Sequence, residues 1–290
     1  MDKIQKSVGR GCINILGDVK LIQQMLNNAI CSLQLDESGN LNQNTIAAID
    51  YFQKFYLGIK PDGRISPSGS TFTALELKYQ NSNCKVFSIA LPASSNGVKL
   101  TNSDFDKAAK KLGCEEACIR AVTDVESKGG GFFSSGKPKI LFEAHIFSKK
   151  TFHAFDKRYP DISSSKWNKA LYLGGEAEYS RLEKAMTINR QAALESTSWG
   201  LFQIMGFNYS ASGFSSIEDY TQAMFESEGK QLLAFVNFIS KVGLTKYLKS
   251  KDWKSFARAY NGPKYQENKY DTKLEIAYKK YDNKKIAVLK

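Results

Sequence analysis

The stretch Val125-Glu126-Ser127-Lys128-Gly129-Gly130-Gly131-Phe132-Phe133 sets a carboxylate between a helical pattern and a run of glycines. Upstream, residues 103–125 keep amphipathic helical spacing, so Glu126 is expected to close that helix. A carboxyl there faces the negative end of the helix macrodipole, and apolar neighbours further disfavour its charged form, so both effects raise its pKa. A carboxylic acid that stays protonated near neutral pH can give its proton to a glycosidic oxygen, and adjacent glycines let a bulky polymer come close. A solvated helix-end glutamate before a glycine stop has the same local pattern, so the decision rests on segments further along.

Two such segments follow. Ser196-Thr197-Ser198-Trp199-Gly200-Leu201-Phe202-Gln203-Ile204-Met205-Gly206 combines small residues with a glycine that permits a bend, and Gln203 carries both a donor and an acceptor suited to a sugar hydroxyl or amide. Trp199 is read as core rather than as a ring that stacks on a pyranose. Phe256-Ala257-Arg258-Ala259-Tyr260-Asn261-Gly262-Pro263 ends a helix in an Asn-Gly-Pro turn, where Tyr260 and Asn261 present a phenol and an amide.

The pattern divides the chain into residues 1–80, a Ser/Asn-rich linker at 81–100 with an extended stretch over 86–91, and residues 101–290. The first part reads as three short helices: over 19–33, from Thr45 onward, and over 70–77. The last part reads as helix-rich, with helices over 146–155, 176–188, 190–196, 217–240 and 253–260 and one strand candidate over 138–144. The expected fold class is mainly α, with a small three-helix domain followed by an α-rich domain bearing a minor β element.

The formal charge is +12, and residues 1–80 hold 8 basic against 7 acidic side chains, so nearly all of the excess lies beyond them. The last fifty residues hold 14 basic against 5 acidic. Such a field favours anionic partners such as acidic wall polymers or outer-membrane lipid. Specific nucleic-acid binding would rest on charge alone and is not expected. The five cysteines (Cys12, Cys31, Cys84, Cys114, Cys118) are odd in number and scattered, and they are read as reduced, mostly buried thiols, with a disulfide between some of them left open after release to an oxidising space. With only two histidines, His145 and His153, and no zinc-binding spacing, a metal-dependent amidase or peptidase is disfavoured and no cofactor is expected. A Cys-His nucleophile is also disfavoured, because Cys114 and Cys118 are read as mid-helix. No apolar run of signal-peptide or membrane-spanning length occurs, so the chain is expected to be made in the cytoplasm of a host and to reach the wall after the membrane is breached.

Residues Gly39, Leu41, Thr45, Phe52-Gln53, Leu57-Gly58 and Pro61-Asp62-Gly63 resemble the N-terminal half of a peptidoglycan-binding module. Glu126-Ser127, Gly200-Leu201-Phe202-Gln203 and Ala259-Tyr260-Asn261-Gly262, in that order, resemble the lysozyme-like superfamily of goose-type lysozymes and lytic transglycosylases. Residues 101–281 look like the N-acetylmuramidase domain of modular phage endolysins. The resemblance implies a monomeric enzyme that binds bacterial peptidoglycan and hydrolyses the β-1,4 bond between N-acetylmuramic acid and N-acetylglucosamine. It also implies Glu126 as general acid and a groove running past Ser198, Gln203, Tyr260 and Asn261. Goose-type enzymes carry an aspartate soon after the glutamate, and none lies between Glu126 and Glu143. Glu143 is the candidate second carboxylate, since a strand after the bend can face Glu126 across a cleft at roughly the 6.5–9.5 Å that admits an inverting water. Asp124, at i−2, points away from Glu126. Without a second carboxylate, the substrate's own acetamido or 6-hydroxyl group completes the reaction, the latter as lytic transglycosylation. A non-catalytic wall-binding or virion structural protein is the alternative of another class.

Overall fold

The structure, a computed structural model, describes residues 3–81, 87–94, 97–127 and 129–288, so the readings made for Cys84 and Val86 lie outside the described residues. In chain order the elements begin with β1 (Val8–Gly9), α1 (Leu16–Ala29), α2 (Gln43–Tyr56), β2 (Arg64–Ile65) and α3 (Ser70–Asn81). Next come α4 (Asn102–Leu112), α5 (Glu116–Glu126), β3 (Ile140–Phe142), α6 (Ala144–Lys150), α7 (Glu178–Glu195), β4 (Thr197–Trp199) and β5 (Ile204–Met205). The chain closes with α8 (Ile217–Glu226), α9 (Glu228–Lys241), α10 (Thr245–Ser250), α11 (Trp253–Asn261) and α12 (Tyr270–Val288). The fold is mainly α with a small β element, as expected.

Contacts gather the chain into two compact units whose limits differ from the sequence division at 80–100. The first holds Met1–Ile89, Phe142–Leu173 and Tyr179–Ser196; the second holds Ala90–Leu141, Gly174–Glu178 and Thr197–Lys290. The physical reason for the first grouping is visible at Tyr51 on α2. Its buried hydroxyl donates to the Ile188 carbonyl at 3.1 Å and accepts from Asn189 Nδ2 at 3.1 Å, and its ring meets Phe155 edge-on at 5.0 Å. Asn189 leaves helical geometry (φ −157°, ψ 103°) and kinks α7, so the chain breaks where the sequence reading separates two helices. Within the same unit, the inward faces of α1 (Val19, Ile22, Met25, Leu26) and α2 (Ile46, Ile49, Phe52) are buried. Each such side chain contributes about 1.5–3 kcal/mol on leaving water. The cap of α2 is Asn42 rather than Thr45: the Asn42 Oδ1 accepts the Thr45 N–H at 2.9 Å, and Thr45 lies inside the first turn. Cys31, exposed in the turn after α1, is disulfide-bonded, so the reading of reduced, buried thiols does not extend to it.

In the second unit, the helix expected over 103–125 is two helices. Thr101 and Asp104 form a reciprocal capping box at the start of α4, and Gly113 ends it in the left-handed conformation (φ 62°). Cys114 therefore sits in the break rather than one turn from Cys118 on a common helix. The expected helix over 217–240 is also two: Ser227 takes an extended conformation, and its side chain accepts the Lys230 N–H to cap α9. The core of this unit brings together Phe105, Ile119, Val122, Phe202, Phe235 and Phe256, with Phe202 and Phe235 stacked at 4.2 Å. The sheet order is β3-β4-β5, with β4 and β5 antiparallel (Ser198 opposite Met205, Trp199 opposite Ile204). Trp199 is 1% exposed, so it belongs to the core, as read from sequence.

Candidate active site

Glu126 is the last residue of α5, and Asn261 is the last residue of α11. The two helix ends meet in the second unit: Asn261 Nδ2 donates to both Glu126 oxygens, at 3.2 Å each. This bifurcated contact fixes the plane of the carboxyl. The half-buried Tyr260, one residue earlier, donates its hydroxyl to the Phe202 carbonyl at 3.2 Å, and its ring stacks on Phe256. Burial, and next the Glu126 charge, push the Tyr260 phenol well above its ordinary value, so it stays a neutral donor. The sequence reading brings Glu126, Tyr260 and Asn261 together, and so does the structure.

The glycine bend after Glu126 is pinned by two residues of α9 that the sequence reading missed. Glu228, 4% exposed, accepts the Gly131 N–H at 2.8 Å and the Leu100 N–H at 3.2 Å, and it pairs with Lys99 at 3.1 Å. Gln231, 2% exposed, accepts the Leu201 N–H at 2.7 Å and donates to the Met224 carbonyl at 2.8 Å. A Cβ on Gly131 would fall 2.0 Å from Gln231 Oε1, and one on Gly200 (φ 67°) would fall 2.6 Å from Gln231 Cδ. Glycine is thus required at both positions by close approach, and at Gly200 by the left-handed backbone as well. The bend and the Gly200 turn are also laced directly: Lys139 N–H donates to the Gly131 carbonyl at 2.8 Å, and Gly200 N–H donates to the Lys139 carbonyl at 2.7 Å. In sequence, an acidic residue opening α9 has an ordinary explanation in the helix dipole, which hides its distant partner.

Gln203 and Ser198 hold this turn in place. Gln203, itself at φ 49°, donates to the Gly200 carbonyl at 2.9 Å and the Lys139 carbonyl at 3.2 Å, and it accepts from the Ser198 hydroxyl at 2.9 Å. Both amide protons are engaged within the protein, which leaves one acceptor position on Gln203 Oε1 for a ligand.

Glu143 belongs to the first unit, at the N-cap of α6. Its Oε2 accepts the Tyr172 hydroxyl at 2.6 Å and lies 3.2 Å from His145 Nδ1, so His145 packs beside it as expected. Asp124 is exposed and pairs with Lys280 of α12 at 2.8 Å, turned away from Glu126 as its position on the helix predicts. Cys118 is buried and donates to the Leu248 carbonyl, and burial pushes its thiol up to about 12 and that of Cys114 up to about 11. Neither is an activated nucleophile.

Residues 115–282 match the N-acetylmuramidase family, a span that takes in Glu126, Gln203, Tyr260 and Asn261. Among solved structures, the crystal structure of Burkholderia AP3 phage endolysin is similar, at 35% sequence identity and a TM-score of 0.62 over 96% of this chain and 100% of that one. No curated protein matches the chain. With more than half of the sequence inside the family match, the chain belongs to the N-acetylmuramidases, glycoside hydrolases that degrade bacterial peptidoglycan.

Proposed function

We propose that the chain cleaves the β-1,4 bond between N-acetylmuramic acid and N-acetylglucosamine, with Glu126 as the general acid. The observation that carries this is the grip of Asn261 on both Glu126 oxygens beside a bend that only glycine can form. The protonated carboxyl gives its proton to the glycosidic oxygen as the bond to the muramic C1 breaks; the C1 cation then takes a hydroxide equivalent from water, and the released proton restores the acid. Asn261 suits both halves of this cycle. Its Nδ2 faces the carboxylate, while its Oδ1 is buried with no hydrogen-bond partner among the described residues. A half-turn of the amide exchanges donor for acceptor, so one side chain can serve both the ionised and the protonated acid.

A second reading, in which the substrate's own acetamido or 6-hydroxyl group captures C1, is favoured by the engagement of both candidate partner carboxylates, Glu143 by Tyr172 and Asp124 by Lys280. The same proposal assigns residues 1–80 to wall binding, expects a monomer, and has the protein act on the wall after the host membrane is breached, with its basic C-terminal region drawn to anionic polymers or lipid. Mass spectrometry of products from purified peptidoglycan tests it, with wild type, Glu126→Gln and Glu143→Gln side by side. Reducing muramic ends that vanish in Glu126→Gln are the expected result. Anhydro-muramic ends would move the chemistry to transglycosylation, and cleared peptidoglycan from Glu126→Gln would overturn the assignment of the acid.

A further inference from the structure

The three tryptophans divide sharply by exposure: Trp199 and Trp253 are 1% and 7% exposed, whereas Trp167 is 60% exposed. Trp167 is nevertheless fixed. Its indole N–H donates to the Tyr172 hydroxyl at 2.8 Å, and that hydroxyl donates to Glu143 Oε2 at 2.6 Å. The Arg181 guanidinium lies over the Tyr172 ring, 5.8 Å from its centre. The loop around the indole is ordered by its own turns: Asn168 Oδ1 accepts the Ala170 N–H at 3.0 Å, and the Ser164 hydroxyl donates to the Lys166 carbonyl at 2.8 Å. All of these residues lie in the first unit.

An indole whose only donor is satisfied inside the protein has no further polar demand, and its exposed faces offer a flat, rigid, apolar surface to water. The charged residues next to it in sequence have one sign. Residues 164–173 contain two lysines and no acid, and neither Lys166 nor Lys169 has an acidic partner among the described residues. A fixed aromatic face with two lysines beside it in sequence is complementary to a ligand with an apolar ring face and peripheral carboxylates. A glycan strand substituted by acidic peptides has that chemistry: the C–H face of a pyranose packs on an aromatic ring, and the peptide carboxylates meet the ammonium groups.

We propose that Trp167, braced by Tyr172 and Glu143, is a stacking platform for a sugar ring of the peptidoglycan strand, with Lys166 and Lys169 meeting the carboxylates of its stem peptides. The proposal rests on the muramidase reading for the identity of the glycan. It makes Glu143 a positioning residue for Tyr172.

The test uses full-length Glu126→Gln protein, titrated with soluble glycan strands either bearing or stripped of stem peptides, and followed by tryptophan emission. A saturable shift in emission is expected, lost in Glu126→Gln/Trp167→Phe. By sedimentation, Trp167→Ala should weaken binding about tenfold, equivalent to about 1.4 kcal/mol, and Tyr172→Phe, which keeps both rings but frees the indole N–H, by less. Lys166→Gln/Lys169→Gln should weaken only the strands that keep their peptides. Undiminished binding by Trp167→Ala, with its melting temperature unchanged, would overturn the platform. Failure of the underlying reading shows separately, as wild-type products cut in the peptide or amide bonds with the glycan strand intact.

Discussion

The Gly131 N–H donates to Glu228 Oε1 at 2.8 Å across 97 residues of chain. A carboxylate that is almost fully buried therefore shapes the bend that follows Glu126, although it belongs to another helix. Glu228→Ala would leave two backbone N–H groups and the Lys99 ammonium without their acceptor. Loss of about 2–4 kcal/mol in urea unfolding is expected, with Glu228→Gln retaining part of it through its carbonyl oxygen. Equal stability of Glu228→Ala and wild type would show that the bend does not depend on this charge.

Gln231 reaches both glycine positions, and this makes a coupling experiment possible. Gly131→Ala and Gly200→Ala should each cost at least about 2 kcal/mol, because neither Cβ fits beside the Gln231 side chain. Shortening Gln231 to Ala relieves the clash while orphaning the Leu201 N–H, so Gly131→Ala/Gln231→Ala should be less destabilised than the sum of its single variants. Strict additivity in the double-mutant cycle would remove Gln231 as the reason for glycine there.

Asn261→Ala removes a side chain that is half-buried at a helix end, so the melting temperature should change little. Its absence removes the donor shared by both Glu126 oxygens, and kcat should fall about 10–100-fold with KM nearly unchanged, as expected when the proposed reacting group is less firmly held in its productive orientation. A rise in KM alone would instead make Asn261 a substrate contact.

Cys114 and Cys118 report on alkaline stability. Burial holds both thiols above the ordinary value of about 8.5, so the folded chain keeps these protons longer than the unfolded chain. Their contribution to stability is full below about pH 8.5 and is lost as pH rises through the folded values near 11 and 12. At pH 8 the thiolate fraction of Cys114 is on the order of one in a thousand, so iodoacetamide should modify neither residue until the chain is unfolded. Rapid native labelling of either thiol would contradict this.

The parts of the molecule legible in sequence are those where local chemistry and final structure agree. The kink at Asn189 falls where the helical pattern stops and restarts, and α11 ends at the Asn-Gly-Pro turn that marks it. The breaks at Gly113 and Ser227 were not legible, because a single glycine or serine is compatible with a continuing helix, and only packing on both sides decides otherwise. At the site, Glu126 stands out only in company with the Gly200-Leu201-Phe202-Gln203 and Tyr260-Asn261-Gly262 segments, since a carboxylate before a glycine stop is by itself an ordinary helix end. Glu228, Gln231 and Trp167 do not, since an acid in a first turn, an amide on a helix and an aromatic in a loop each have ordinary local reasons. Their roles come from partners 97 residues away, from a clash with an absent methyl, and from exposure, none of which a linear pattern carries.

The hydroxyl of Tyr51 waits for partners 137 and 138 residues downstream. During synthesis, at about 5–20 residues per second, that interval lasts on the order of ten seconds, while α2 is already outside the ribosome with its aromatic face uncovered. The first unit therefore cannot complete its core before residue 189 has emerged, and it exposes apolar surface to its surroundings throughout. Its assembly should be slow, as closures over long chain separations are, and dependent on the pace of translation.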